Sequence, residues 1–191
     1  MVEFKFHIKM PIYIARQHLR HRTASVNELS ARYSVVPREY YEPGTFRGQA
    51  VVNRQGSEGV VDVKDRVELP ERAFNVYDDL LEQGVCREQA RGVLPQSTYT
   101  EFYWKINLHN LMHYLQLRLD EHAQKEIRDY AEAIYALVEP LVPITMEAFR
   151  DFRVNGMFLT GPEIEALRTG KEIASPGERR EFEDKKKILG M

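Results

Sequence analysis

The residues that most constrain the fold come first in the chain. In VEFKFHIK, Val2, Phe4, Phe6 and Ile8 alternate with Glu3, Lys5, His7 and Lys9. A period of two places every apolar side chain on one face of a strand, so one face is buried and the other wet. A half-buried strand cannot stand alone: it needs hydrogen-bonding neighbours and a layer over its apolar face. One other segment reads as strand, the aromatic-rich TYTEFYWKIN of Thr98–Asn107. The remaining periodic segments are helical. Pro70 opens a helix with Phe74, Tyr77, Leu80 and Leu81 on one face and Gly84 at its end. A shorter helix, CREQARGVL, stops before Pro95. Leu108, Leu111, Met112, Leu115 and Leu119 recur at helical spacing, followed by Ile127, Tyr130, Ala131, Ile134, Val138 and Leu141, stopped by Pro140 and Pro143. Another short helix surrounds Phe149. The pattern predicts an α+β fold of helices packed on a small, mainly antiparallel sheet. At 191 residues it predicts a single domain, with a charged, weakly apolar peripheral tail over about 157–191.

The segments between the two strands are read from local signals. Pro11 suits the first turn of a helix over Ile12–Arg22, with Ile12, Ala15 and Leu19 on its apolar side. Gln17, Arg20 and His21 share the other side. Ser25 followed three residues later by Glu28 has capping-box spacing and predicts a helical turn. From Pro37 to Asp65, with Gly44, Gly48, Gly56 and Gly59 and few apolar residues, the sequence predicts a long irregular surface loop, a candidate gate.

The stretch RQHLRHRTASVNELSARYS gathers Arg16, Arg20, Arg22 and Arg32 with His18 and His21, and no lysine occurs between Lys9 and Lys64. Arginine without lysine suits a site where a planar fork grips phosphate or carboxylate in two places. The competing reading is surface charge with local ion pairs. Arg91 and Arg118 lie among apolar helical positions, where an unpaired charge is expensive; they read as members of the same anion site or as structural ion pairs. The net charge of −2 makes the positive charge local, not global. His109 and His113 have metal-pair spacing, but no HExxH and no carboxylate at ligand spacing accompany them, so no metal is predicted. His18, His21 and His122 read equally as solvated helix residues. The lone Cys86 excludes a disulfide framework, suits a reducing cytosol, and has no partner motif for a nucleophile. No apolar run reaches membrane-spanning length and no signal peptide precedes the first strand, which predicts a cytoplasmic protein.

Arg20-His21-Arg22, seven residues and then Ser30 resembles the RHRX7S signature of the flavin-dependent thymidylate synthases. The likeness extends over Ala15–Ser34, and a second block from REQARGVLPQ to DEHAQKEI is similar in order and spacing; together they run from about residue 2 to about 150. The resemblance implies conversion of dUMP to dTMP, with methylenetetrahydrofolate as carbon donor and NADPH as reductant acting through FAD. It implies that Gln17, Arg20, Glu28, Leu29, Ser30, Ala31, Arg32 and Arg91 line the dUMP site. It places Arg20, His21, Arg22, Thr23, Asn107, His109 and His113 against the flavin, and Arg118 at the uracil ring as the activating, catalytic residue. A guanidinium there favours the N3-deprotonated, electron-rich ring, which removes the need for a cysteine nucleophile and makes Cys86 a bystander. It also implies a homotetramer with active sites at subunit interfaces, no nucleic-acid or membrane partner, and several dozen family residues ahead of the first strand that this chain is expected to lack. Two rival readings stay open. One is a nucleotide-binding remnant without turnover. The other is a single-stranded nucleic-acid module using the arginines and the aromatics of TEFYW, against which stand the pI near 6.3 and the absence of a known motif.

Overall fold

The computed structural model describes residues 1–50, 56–63 and 68–191. The opening alternation forms strand β1, Glu3–Pro11, whose Ile8 and Met10 are buried. It pairs antiparallel with the aromatic strand β5, Tyr99–Asn107, in a register that sets Phe6 opposite Trp104 and Ile8 opposite Phe102. The other edge of β5 is taken by β2, Ser25–Glu28, which gives a sheet in the order β1-β5-β2. The expected helical turn at Ser25–Glu28 is therefore corrected to a strand. Local capping chemistry loses to the free edge of β5, where Val26 lies opposite Trp104 and Thr100 Oγ1 donates to Glu28 Oε1 at 2.6 Å. The single turn forms later, where the amides of Tyr33 and Ser34 donate to the Ser30 carbonyl.

Helix α1 spans Ile12–His18, four residues shorter than expected. Its end tightens through Arg20 N to Gln17 O and His21 N to His18 O, both 3.2 Å, before the chain leaves for β2. Its buried face is Ile14, Ala15 and His18, so His18 is a core residue and not a solvated one. The region expected to be an irregular loop contains an antiparallel hairpin, β3 Phe46–Gln49 with β4 Ser57–Val61; residues 51–55 and 64–65 of that stretch lie outside the described residues. Gly48 suits the close pairing there, since a Cβ would sit 3.0 Å from the Glu58 carbonyl oxygen, a tight contact against backbone. The hairpin is tied down by Arg47, which pairs with the buried Glu126 and donates from Nε to Ser57 Oγ at 2.8 Å.

The remaining helices of this part follow the predicted periodicities: α2 Leu69–Glu82, α3 Arg87–Ala90, α4 Leu108–Arg118 and α5 Lys125–Val138. Helices α1, α4 and α5 pack on one another and on the sheet, where Met10, Ile14, Trp104, Leu111, Tyr114 and Leu115 are fully buried. A second, small core of Phe74, Tyr77 and Ala90, ringed by Val36, Tyr40, Leu80, Leu81, Val85 and Leu94, pins α2 and α3 to the segment after β2. Tyr77 makes that link directional by accepting from Val36 N at 3.1 Å.

The chain divides into two compact units, Met1–Val138 and Glu139–Met191. The second unit contains α6 Pro143–Phe149, a short π-helix Arg150–Val154, α7 Gly161–Thr169 and α8 Pro176–Leu189. Thr160 and Glu163 close a reciprocal capping box on α7, and Ser175 caps α8. Lys185 of α8 holds the buried Glu163 at 2.8 Å, which joins the two helices. Gly170 ends α7 at φ 71°, a conformation that side chains resist.

Candidate active site

The segment after β2, tied to β5 by Leu29 N to Glu101 O at 2.9 Å and packed through Val36 and Tyr40 on the Phe74–Tyr77 core, borders a cavity of about 360 Å³. Its wall includes Glu28, Leu29, Ser30 and Ala31, then Arg91 and Leu94, then Thr98 with Tyr99 and Thr100 at the start of β5. Among the described residues, Arg91 is the only cation in that wall and Glu28 the only carboxylate. No described carboxylate pairs with Arg91. Thr98 is buried, and its hydroxyl has no hydrogen-bond partner among the described residues. Arg32 lies outside the lining, 3.7 Å from Glu88, while Arg87 donates to the Tyr33 carbonyl at 3.3 Å. These two contacts tie the Ser30 turn to α3 and so set the position of Arg91 one residue beyond that helix.

A second polar group forms where the end of α1 meets α4. Arg118 Nε donates to His21 Nε2 at 3.0 Å, and the His21 ring stands edge-on to Tyr114 with centroids 4.8 Å apart. Tyr114 Oη bonds His18 Nδ1 at 3.1 Å, and Trp104 packs against both rings. Burial, then the neighbouring His21 and Arg118, push the His18 pKa down to about 3. Burial, then Arg118 and His113, push His21 down to about 4. Both rings are neutral at pH 7. Burial raises the Tyr114 hydroxyl above its ordinary range.

The expected site residues thus fall into separate groups. Glu28, Leu29, Ser30, Ala31 and Arg91 come together in the cavity; Arg118, His21 and His113 come together at the α1–α4 junction. Gln17 is not in the cavity wall: its amide donates to Gln124, which donates to Glu126 Oε2 at 3.0 Å. Asn107 caps α4, accepting from Asn110 N at 2.9 Å, and Asn110 donates to the Thr23 carbonyl. Arg20, Arg22 and His109 are exposed. Among Arg20, His21, Arg22, Thr23, Asn107, His109 and His113 there is no carboxylate, a donor set that fits the phosphates and ring carbonyls of a flavin nucleotide. Among the described residues no cluster of His, Cys, Asp or Glu could hold a metal ion, and no helix is long and apolar enough to cross a membrane. His18, Tyr114, Trp104, Gln124 and the Arg47–Glu126 pair were not legible as site neighbours. For His18 the signal existed, since it lies four residues after Ile14 and three after Ala15 on the apolar face of α1.

These elements make a small α+β protein that carries a cavity with an arginine and a carboxylate in its wall and, at the α1–α4 junction, neutral imidazoles against a second arginine. Residues 1–144 match the family described as thymidylate synthase complementing protein, and the chain belongs to that family. A flavin-dependent thymidylate synthase of Dictyostelium discoideum is 52% identical over 199 residues, covering 99% of this chain and 66% of that protein. One from Thermus thermophilus is 52% identical over 172 residues, covering 88% and 64%. The chain therefore spans slightly under two thirds of the length of these relatives. Among solved structures, the UMP/dUMP methylase PolB from Streptomyces cacaoi bound with 5-Br dUMP superimposes with a TM-score of 0.72 at 36% identity, covering 79% of this chain and 71% of that one.

Proposed function

We propose that this chain is an FAD-dependent thymidylate synthase of the cytoplasm. It would convert dUMP, methylenetetrahydrofolate, NADPH and a proton to dTMP, tetrahydrofolate and NADP⁺. The observation that carries this reading is the cavity lined by Ser30, whose wall holds, among the described residues, one guanidinium without an ion-pair partner, one carboxylate and one buried hydroxyl without a hydrogen-bond partner. Arg91 and Ser30 bind the phosphate of dUMP by charge and hydrogen bonding. Glu28, which would repel a phosphate, faces the sugar, where its free oxygen accepts from a hydroxyl. Leu29 and Ala31 supply apolar contact, while Gln17, Arg20 and Arg32 contribute polar contacts at the edges. Arg118 stabilises the negative charge of the N3-deprotonated uracil ring, so that the ring carbon attacks the folate-derived carbon without an enzyme thiol. Arg20, His21, Arg22, Thr23, Asn107, His109 and His113 hold and orient FAD. The bound flavin supplies the two-electron transfer from NADPH. The family resemblance implies a homotetramer with sites at subunit interfaces, and the position of Arg118 and Gln17 outside the cavity wall of one chain supports a site completed by another copy.

The test is NADPH oxidation and dTMP formation by the purified chain with added FAD, with and without dUMP. The expected result is oxidation that depends on FAD and responds to dUMP. Arg118→Ala should retain FAD and lose dTMP formation. A chain that neither binds flavin nor responds to dUMP would overturn the reading, and so would wild-type turnover in Arg118→Ala.

A further inference from the structure

We propose that His21 is a positioning residue for Arg118. Its ring, held as the neutral tautomer with the proton on Nδ1, accepts from Arg118 Nε and aims the two terminal guanidinium nitrogens at the ligand. The inference deepens the proposed function and rests on its assignment of Arg118 to the uracil ring.

The tautomer follows from donor chemistry. A guanidinium carries only N–H donors and stays protonated in proteins, so across the 3.0 Å contact Arg118 Nε can only donate. His21 Nε2 must therefore offer a lone pair, and the single proton of the neutral ring resides on Nδ1. Every charged or titratable group that bears on His21 opposes a second proton. Arg118 and His113 face it from α4, and His18 stands behind it on α1, with no carboxylate among them. The ring plane is fixed as well. Tyr114 meets His21 at 76°, and His18 and Trp104, both fully buried, wedge Tyr114 in turn. A long, otherwise rotatable arginine is thus held at Nε by a ring that the core cannot release. Nη1 and Nη2 of Arg118 have no hydrogen-bond partner among the described residues, so they are the donors left for an electron-rich acceptor. The same tautomer leaves Nδ1–H as the only donor His21 has for a neighbouring cofactor.

Imidazole ¹⁵N NMR on the chain at pH 7, without ligand, tests the hydrogen bond directly, with His21→Gln assigning the resonance. The expected signature is a protonated Nδ1 and a bare Nε2, relaxing to a mixture of tautomers in Arg118→Ala. A charged His21, or a proton on Nε2, overturns the inference. The second measurement is dUMP affinity by calorimetry with FAD present. His21→Ala should weaken dUMP about tenfold, the loss expected for one charged hydrogen bond. His21→Gln, whose amide oxygen can replace Nε2 as acceptor, should restore most of it. Equal affinity in wild type and His21→Ala overturns the positioning role while leaving the proposed function standing. A wild-type chain that does not bind dUMP overturns the reading of the site, and the positioning role with it. If His21→Ala does not fold, the tautomer signature of the wild-type chain still decides.

Discussion

Acidification from pH 7 to pH 5 should destabilise this protein by about 2 kcal/mol through His18 alone. The ring is fully buried, touches Trp104 and Tyr114, and has no hydrogen-bond partner for Nε2 among the described residues. Burial first, then His21 and Arg118, lower its pKa from 6.5 to about 3. The folded pKa lies below the unfolded one, so between the two values the unfolded chain binds the extra proton. Stability is complete above the unfolded value and falls as the pH drops towards the folded value. Between pH 7 and pH 5 the unfolded ring charges almost completely while the folded ring stays neutral, which integrates to roughly 2 kcal/mol. His21 acts in the same direction, with a smaller share because it is half exposed and screened. Asp120 and Glu126, both held below their ordinary range, act mainly below this window. The assay is urea unfolding at one protein concentration at pH 7, 6 and 5, for wild type and for His18→Gln, which keeps a partner for Tyr114 but cannot titrate. Wild type should lose about 2 kcal/mol more than the variant. Equal pH slopes would refute the reasoning. If the variant does not fold, an NMR titration of His18 in the wild-type chain replaces it, and protonation above pH 5 refutes the reasoning equally.

Removing Arg47 should be costly, because Glu126 has a side chain only 10% exposed and would be left as an uncompensated buried charge. Arg47→Ala should lose about 3 kcal/mol in a denaturant melt, and adding Glu126→Gln should recover a large part of it. Arg91→Ala should weaken dUMP binding about 10- to 100-fold in calorimetry without moving the unfolding midpoint, since Arg91 is exposed and has no described ion-pair partner. A lowered midpoint would make Arg91 a structural residue.

Much of the fold was legible because both periodicities are strong. Alternation over Val2–Lys9 and the apolar spacing from Leu108 to Val138 each allow one buried face, and β1, α4 and α5 follow. The arginine-without-lysine composition of residues 16–32 pointed to an anion site, and the Arg20-His21-Arg22 to Ser30 spacing pointed to the family that the chain belongs to. Ser25–Glu28 was misread because a capping box is a local signal. It carries no information about the vacant edge of β5, which lies more than seventy residues further along the chain. The hairpin in the glycine-rich stretch was missed for a similar reason, since its anchor is the Arg47 pair with Glu126 on α5.

Composition and short-range spacing were enough to mark an anion-gripping set of arginines and the faces of the long elements that must be buried. Packing settled the surroundings of each of those residues. It buried His18 against Trp104 and Tyr114, kept His21 neutral beside Arg118, and separated Arg91 from Arg118. Those outcomes depend on desolvation and on contacts between residues far apart in the chain, and the physical cost of burying a charge or leaving a donor unpaired exists only once the elements have packed.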